Sequence, residues 1–297
     1  MRFRVLFSVL GCFMLLNGCA AQGQIERTGV SLQIEPIKVW PSEVSETSGL
    51  AYFDHYFWTI NDSGGKASVY AFDESTQNLV KRVDLKKARN VDWEALAQDD
   101  NYLYVADCGD NKGGRAQLQI YKVAQADLAA AKDKKNVATS RLDFEYADRA
   151  TDHSAVNNFD CEAITVVDDH IWLFSKNRGD LHTRFYQLDT QTKKQRISPL
   201  LTLPVAGLIT DADYFAPTQQ LVLLGYQKAS LFGGSFIWVI DVVEGQPDWS
   251  TAVYHAINPY GQWEAILWKD AHTLIVTSEQ SPLGTQQIGS IKLPPLY

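Results

Sequence analysis

Four acidic residues, Glu94, Glu162, Asp213 and Glu264, fall in short segments that share one build. In each, a polar or acidic residue precedes a small or apolar pair, and a β-rich run follows about nine residues later. Carboxylates gathered from separate segments raise one another's pKa unless a cation or a hydrogen-bond donor compensates. Such a ring can hold a hard cation or flank a glycosidic bond as acid and base. A turn does not require Glu, which weakens a purely structural reading of these positions but leaves it as the alternative.

The loops after the β-rich runs carry more oxygen donors: Asp62 in Asn61-Asp62-Ser63-Gly64-Gly65, and Asp107, Asp110 and Asn111 in Asp107-Cys108-Gly109-Asp110-Asn111-Lys112-Gly113. They suit Ca²⁺, which takes six to eight oxygen ligands, although their spacing is not that of an EF-hand. The competing reading is that these Asp, Asn and Gly residues build tight turns by bonding their own backbone. Lys112, Arg115, Lys176 and Arg178 are available to hold an anionic group. Among six histidines none has zinc spacing, and His153, in the long stretch before Glu162, is the one candidate for a catalytic role. No GxSxG elbow and no P-loop is present, so serine-esterase and nucleotide chemistry have no support.

The elements that must position these residues recur. Copies begin near 48, 94, 162, 211 and 264, as Ser48-Gly49-Leu50-Ala51, Glu94-Ala95-Leu96-Ala97, Glu162-Ala163-Ile164-Thr165, Asp211-Ala212-Asp213-Tyr214 and Glu264-Ala265-Ile266-Leu267. Alternating, aromatic and β-branched runs follow each, at four strands per ~50 residues, the pattern of a propeller blade. The fifth copy runs out of chain after three strands, and an unassigned strand-like stretch, Ser31 to Trp40, precedes the first. The expected fold is therefore an all-β propeller over 31–297, its ring closed by the N-terminal strand. Five blades are expected, with six as the alternative, and a β-sandwich fits the repeat less well. Gln125 to Lys135 reads as a short surface helix, and Trp58, Trp93, Trp172, Trp238, Trp263 and Trp268 as wedges between blades, with Trp93 and Trp263 alternatively at the pocket rim. In a four-strand meander the start of the innermost strand and the loop after the second strand share one end. The carboxylates are thus expected at one channel mouth.

Before this body stand Arg2 and Arg4, an apolar run from Val5 to Leu16, and Leu16-Asn17-Gly18-Cys19. The run is too short to span a bilayer and has the three-part build of an export signal. Its end resembles the lipobox of bacterial lipoproteins, which implies cleavage after residue 18 and acylation of Cys19, palmitate included. Residues 19–30 then form a lipidated tether, and Ala20 implies the outer membrane, facing the periplasm. Without Arg2 and Arg4 the chain has 25 basic and 35 acidic residues, a balance of −10. That charge argues against nucleic acid and for cations, glycans or other polar ligands. Cys108 and Cys161 are then the only thiols outside the signal and the anchor, and in an oxidising compartment they are expected to form a disulfide.

The stretches 48–64 and 92–111, Ser-Gly-Leu-Ala…Asn-Asp-Ser-Gly and Asp-Trp-Glu-Ala-Leu-Ala…Ala-Asp-Cys-Gly-Asp-Asn, resemble bacterial secreted propellers of the broad phytase-like and NHL-like kind. The resemblance implies the repeat architecture and no particular activity. Two functions follow: a module binding a glycan, small molecule or protein partner through its acidic face, or a calcium-dependent hydrolase of phosphoesters or glycosides.

Overall fold

The computed structural model describes residues 29–149, 156–227, 233–282 and 284–294. Five antiparallel sheets surround one axis. The first blade runs from its innermost strand outward as Thr47–Phe53, Tyr56–Asn61, Ser68–Asp73 and Leu79–Lys86. The second is Trp93–Gln98, Tyr102–Asp107, Leu118–Ala124 and Ser140–Tyr146, and the third Asp160–Val167, His170–Lys176, Thr183–Asp189 and Leu201–Leu203. The fourth is Leu208–Phe215, Gln220–Tyr226, Ser235–Val243 and Val253–Asn258. The fifth has three C-terminal strands, Trp263–Asp270, Thr273–Ser278 and Gln287–Lys292, completed by Leu32–Val39 from the N-terminus.

That N-terminal strand pairs antiparallel with Gln287–Lys292, Ile34 opposite Ile291, and its first residues also pair parallel with the outer strand of the fourth blade. The ring is therefore closed by joining the two ends of the chain, as the missing fourth strand of the last repeat requires. Two other outer edges are covered in the same manner. Lys135–Ala138 lies parallel on Leu79–Lys86, and Lys194–Ile197 on Ser140–Tyr146. Covered edges leave few free backbone groups for pairing with another molecule.

The cores lie between blades, because each sheet buries both faces against its neighbours. Trp58 and Trp93 pack between the first and second blades, Tyr104 and Tyr186 between the second and third, Trp172 and Trp238 between the third and fourth. Trp263 and Trp268 fill the gap between fourth and fifth, and Trp40 stacks on Phe72 where fifth meets first. The six tryptophans expected as wedges are all buried. Trp93 and Trp263 belong to these cores and not to a pocket rim; their indole N–H groups donate to the carbonyls of Arg89 (2.9 Å) and Pro259 (3.0 Å). The helix expected over 125–135 is shorter, Gln125–Ala130, and Lys135 already opens the strand that covers the first blade. Its buried Leu128 anchors it, and the Lys81 ammonium caps its end by donating to the carbonyls of Leu128 (2.9 Å) and Ala129 (2.8 Å).

Candidate functional site

Every innermost strand slips register against its neighbour one or two residues after it begins. The slips fall between Ser48 and Leu50, Trp93 and Ala95, Cys161 and Ala163, Ile209 and Asp211, and Trp263 and Ala265. The residues inside them are Gly49, Glu94, Glu162, Thr210 and Glu264. A bulge leaves one residue outside the ladder and re-aims its side chain. Three of the five bulged positions carry Glu, and all three line one cavity of about 180 Å³ at the channel mouth, with Asp62, Asn111, Lys176, Tyr226 and Glu279.

The fourth repeat is out of step with the expected alignment. Its bulged residue is Thr210, whose hydroxyl donates to the Trp263 carbonyl at 3.0 Å. Asp213 stands three residues further along, so it reaches the opposite end of the channel. There it lines a wider cavity of about 520 Å³ with Tyr52, Tyr214, Phe215 and Trp268. Its carboxylate accepts the backbone N–H of Trp268 at 2.8 Å, and burial pushes it up to about 7. Asp213 is thus no member of the carboxylate ring.

Two of the loop candidates are structural. Asp107 is fully buried and accepts from Arg115 (3.0 Å), Gln119 (2.5 Å) and the backbone N–H of Asp92 (3.1 Å). Asp110 accepts the backbone N–H groups of Gly114 (2.8 Å) and Arg115 (3.0 Å) and is ion-paired with Arg149. These carboxylates hold the 107–115 loop and do not face the cavity. Asn111 and Asp62 do line it, Asn111 accepting from Arg178 and Asp62 from the Ser63 N–H. His153 and Cys19 lie outside the described residues.

Several members of the site were not singled out from sequence. Asp160 opens the innermost strand of the third blade and pairs with Arg178, while accepting the Asp110 N–H at 2.6 Å. Asp92 precedes Trp93, and Glu279 follows the second strand of the fifth blade. Their signal was position: each stands beside a bulge or at the end of a second strand, the places that converge on the mouth.

Electrostatics at the mouth are set by burial of like charge. Burial, then Glu162 and Asp62, push Glu94 well above the usual carboxylate range. Burial, reinforced by Asp62 and Asp160, lifts Asp92 to about 6, and burial with Glu264 lifts Glu279 to about 7. Burial also raises Glu264, and Lys176 opposes it. Lys176 sits among these acids with its ammonium 2.9 Å from Glu162 and 5.4 Å from the centre of the Tyr226 ring. Although burial pulls the ammonium down, Glu162 and Glu264 hold it well above its ordinary value. Burial, with Asp160 and Glu264, likewise pushes Glu162 well above the usual carboxylate range, and Lys176 is the group that opposes this.

The expected disulfide is present: Cys108 and Cys161 are joined, with Cα atoms 5.3 Å apart. It ties the end of the second strand of blade two to the start of blade three, one residue from Glu162. Among the described residues no helix is long and apolar enough to cross a membrane.

No protein-family model matches the chain, and no curated protein sequence matches it. Solved structures do. The exo-β-1,3-galactanase of Phanerochaete chrysosporium, solved with β-1,3-galactotriose, is 10% identical over 86% of this chain and 63% of its own, with a TM-score of 0.56. The catalytic domain of the Coprinopsis cinerea GH62 α-L-arabinofuranosidase is 11% identical over 88% and 96%, with a TM-score of 0.50. The hydrazine synthase of Kuenenia stuttgartiensis is 14% identical over 81% of this chain, with a TM-score of 0.40. This chain spans 57% of the length of the synthase chain and 63% of that of the galactanase. At these identities the likeness to the galactanase and the arabinofuranosidase establishes the fold alone, an all-β propeller. The resemblance to phytase-like and NHL-like proteins holds at that level alone.

Proposed function

We propose that the chain is a lipid-anchored propeller that hydrolyses glycosides at its carboxylate mouth, with Glu162 and Glu264 as the reacting pair. The observation that carries this reading is the unequal environment of two buried carboxylates in one cavity. Glu162 is bonded to Lys176 at 2.9 Å, with Arg178 at 3.8 Å, so although burial raises both carboxyls, Glu162 has two cations beside it that favour its anionic form. Glu264, also raised by burial, has no ion pair among the described residues, which favours its protonated form. Two carboxyl groups whose surroundings divide them into base and acid are what glycoside hydrolysis uses. Glu264 would protonate the leaving oxygen and Glu162 would act as nucleophile or base. The fold shared with two sugar-acting enzymes supports the same substrate class, and the acidic surface suits a neutral glycan.

The test is turnover of a panel of aryl glycosides and oligosaccharides by the purified protein. Glu162→Gln and Glu264→Gln should each lower kcat by at least ~10³-fold, the scale of general acid–base and nucleophilic contributions. Saturable glycan binding without turnover would instead make the chain a binding module. Turnover unchanged in both variants would place the chemistry elsewhere.

A further inference from the structure

On the blade one and blade two side of the mouth, Asp62, Asp92 and Glu94 bring one carboxylate oxygen each to within 4.8 Å of one another. Glu94 is only 5% exposed, and its Oε1 is buried with no hydrogen-bond partner. A buried, unsatisfied carboxylate oxygen is expensive, so a ligand to it is expected. Gly109 lies against it: a Cβ at that position would collide with both Glu94 Oε1 and Asp92 Oδ2. The unpartnered oxygen therefore lies on the Asp92 side of the cluster, beside the same point of the Gly109 backbone as Asp92 Oδ2.

No ion pair reaches Asp62, Asp92 or Glu94 among the described residues. Arg115, the basic residue that acts on Asp92, is committed to the Asp107 carboxylate at 3.0 Å and to the carbonyls of Asp107 (2.9 Å) and Gly109 (2.8 Å). A second acidic trio, Glu94, Asp160 and Glu162, has comparable spacing but is already neutralised by Lys176 and Arg178. Lys176 acts on Asp62 and Glu94 from a distance but is paired with Glu162, so no cation pairs directly with the first trio among the described residues.

We infer that Asp62, Asp92 and Glu94 form a binding site for a hard divalent cation, with Ca²⁺ as the ion that fits. The donors are all oxygen, without His or Cys, which disfavours zinc. Ca²⁺ takes six to eight oxygens in flexible geometry, whereas Mg²⁺ demands a near-ideal octahedron and is usually held by one or two carboxylates with several waters, so three protein carboxylates suit Ca²⁺ better. Water fills the remaining coordination from the open side of the cavity. The site shares its cavity with Glu162 and Glu264, and this inference rests on the proposed hydrolysis only for what the cation does during turnover; the binding itself stands on separate side chains.

The experiment is calorimetric titration of CaCl₂ into the chelator-treated full chain, with thermal melting alongside. Saturable binding of one Ca²⁺ is expected, with a rise in Tm. Asp62→Asn, a change on an accessible loop, should weaken binding at least tenfold, and Asp92→Asn with Glu94→Gln should abolish it. The double variant should melt, metal-free, no lower than the metal-free wild type, because two amides relieve the repulsion among three carboxylates. Absence of saturable Ca²⁺ binding up to about 10 mM, beyond the weakest extracellular sites, overturns the inference. So does unchanged affinity in Asp62→Asn and the double variant. Glu264→Gln should keep its Ca²⁺ affinity. Ca²⁺ binding without glycoside turnover would therefore refute the hydrolase alone, and turnover without Ca²⁺ binding would refute the cation site alone.

Discussion

Lys176 and Glu162 form an ion pair of 2.9 Å at the centre of the mouth, with both side chains less than a tenth exposed. Each neutralises a charge that the other could not bear alone in that position. Lys176→Met should therefore cost about 3–5 kcal/mol, the scale for stranding one partner of a buried pair. Adding Glu162→Gln should recover most of that loss, because the stranded charge is gone. Urea denaturation of the two single variants and the double variant measures the coupling. Strictly additive losses would show that the pair contributes nothing as a pair.

The Cys108–Cys161 bond closes a chain segment with a sequence separation of 53. On the chain-entropy model a loop of that length stabilises by about 4 kcal/mol. Because Cys161 adjoins Glu162 and Cys108 adjoins Gly109, the cross-link also holds together the walls of the mouth. Replacing both cysteines with Ser is expected to lower the denaturation midpoint and to weaken Ca²⁺ binding. A midpoint that does not change between the oxidised wild type and the double variant would contradict this.

Stability of the metal-free protein should fall as pH rises from about 4 to 7. Asp92 at about 6, and Asp213 and Glu279 at about 7, hold protons in the folded state that an unfolded carboxyl near 4 has already released. Where the native state binds more protons than the unfolded one, stability declines with pH. The exposed Asp73, held at about 2 by Ser75 and Thr76, acts in the opposite direction and only below about pH 4. Melting temperatures in chelator between pH 4.5 and 8 test this. Asp213→Asn should flatten part of the decline, and saturating Ca²⁺ should remove the share due to Asp92. A Tm that climbs through this window would refute it.

Cys19→Ala should move the protein from the membrane to the periplasmic fraction, since we propose that its acyl chains are the anchor. Several acyl chains on one residue suffice for stable attachment where a single chain does not. Fractionation with detection of the lipidated peptide by mass spectrometry decides the point. Unchanged membrane partitioning of the variant would refute it.

The repeat of strand pairs and turns was enough to read an all-β propeller, five blades and closure by the N-terminal strand, because period-2 alternation and a missing fourth strand are linear properties of the chain. The disulfide followed from counting thiols and from the meander's handling of strand ends. Glu94, Glu162 and Glu264 were also legible, as acidic residues at equivalent offsets in three repeats. Asp213 was not, because register is decided by pairing: the slip between Ile209 and Asp211 puts Thr210 in the bulge and sends Asp213 to the far end of the channel. Gly49 fills the same bulged position in the first blade with a φ of +67°, and a Cβ there would strike the backbone of Leu96. Nor could spacing tell which loop acids face inward. Asp107 and Asp110 are turned into their own loop by Arg115 and Arg149, whereas Asp92 and Asp160, unremarkable in sequence, stand at the mouth. Composition and period determine which strands form, but where a side chain points depends on one-residue shifts between neighbouring strands and on which cation it meets, and both exist only once the ring has closed.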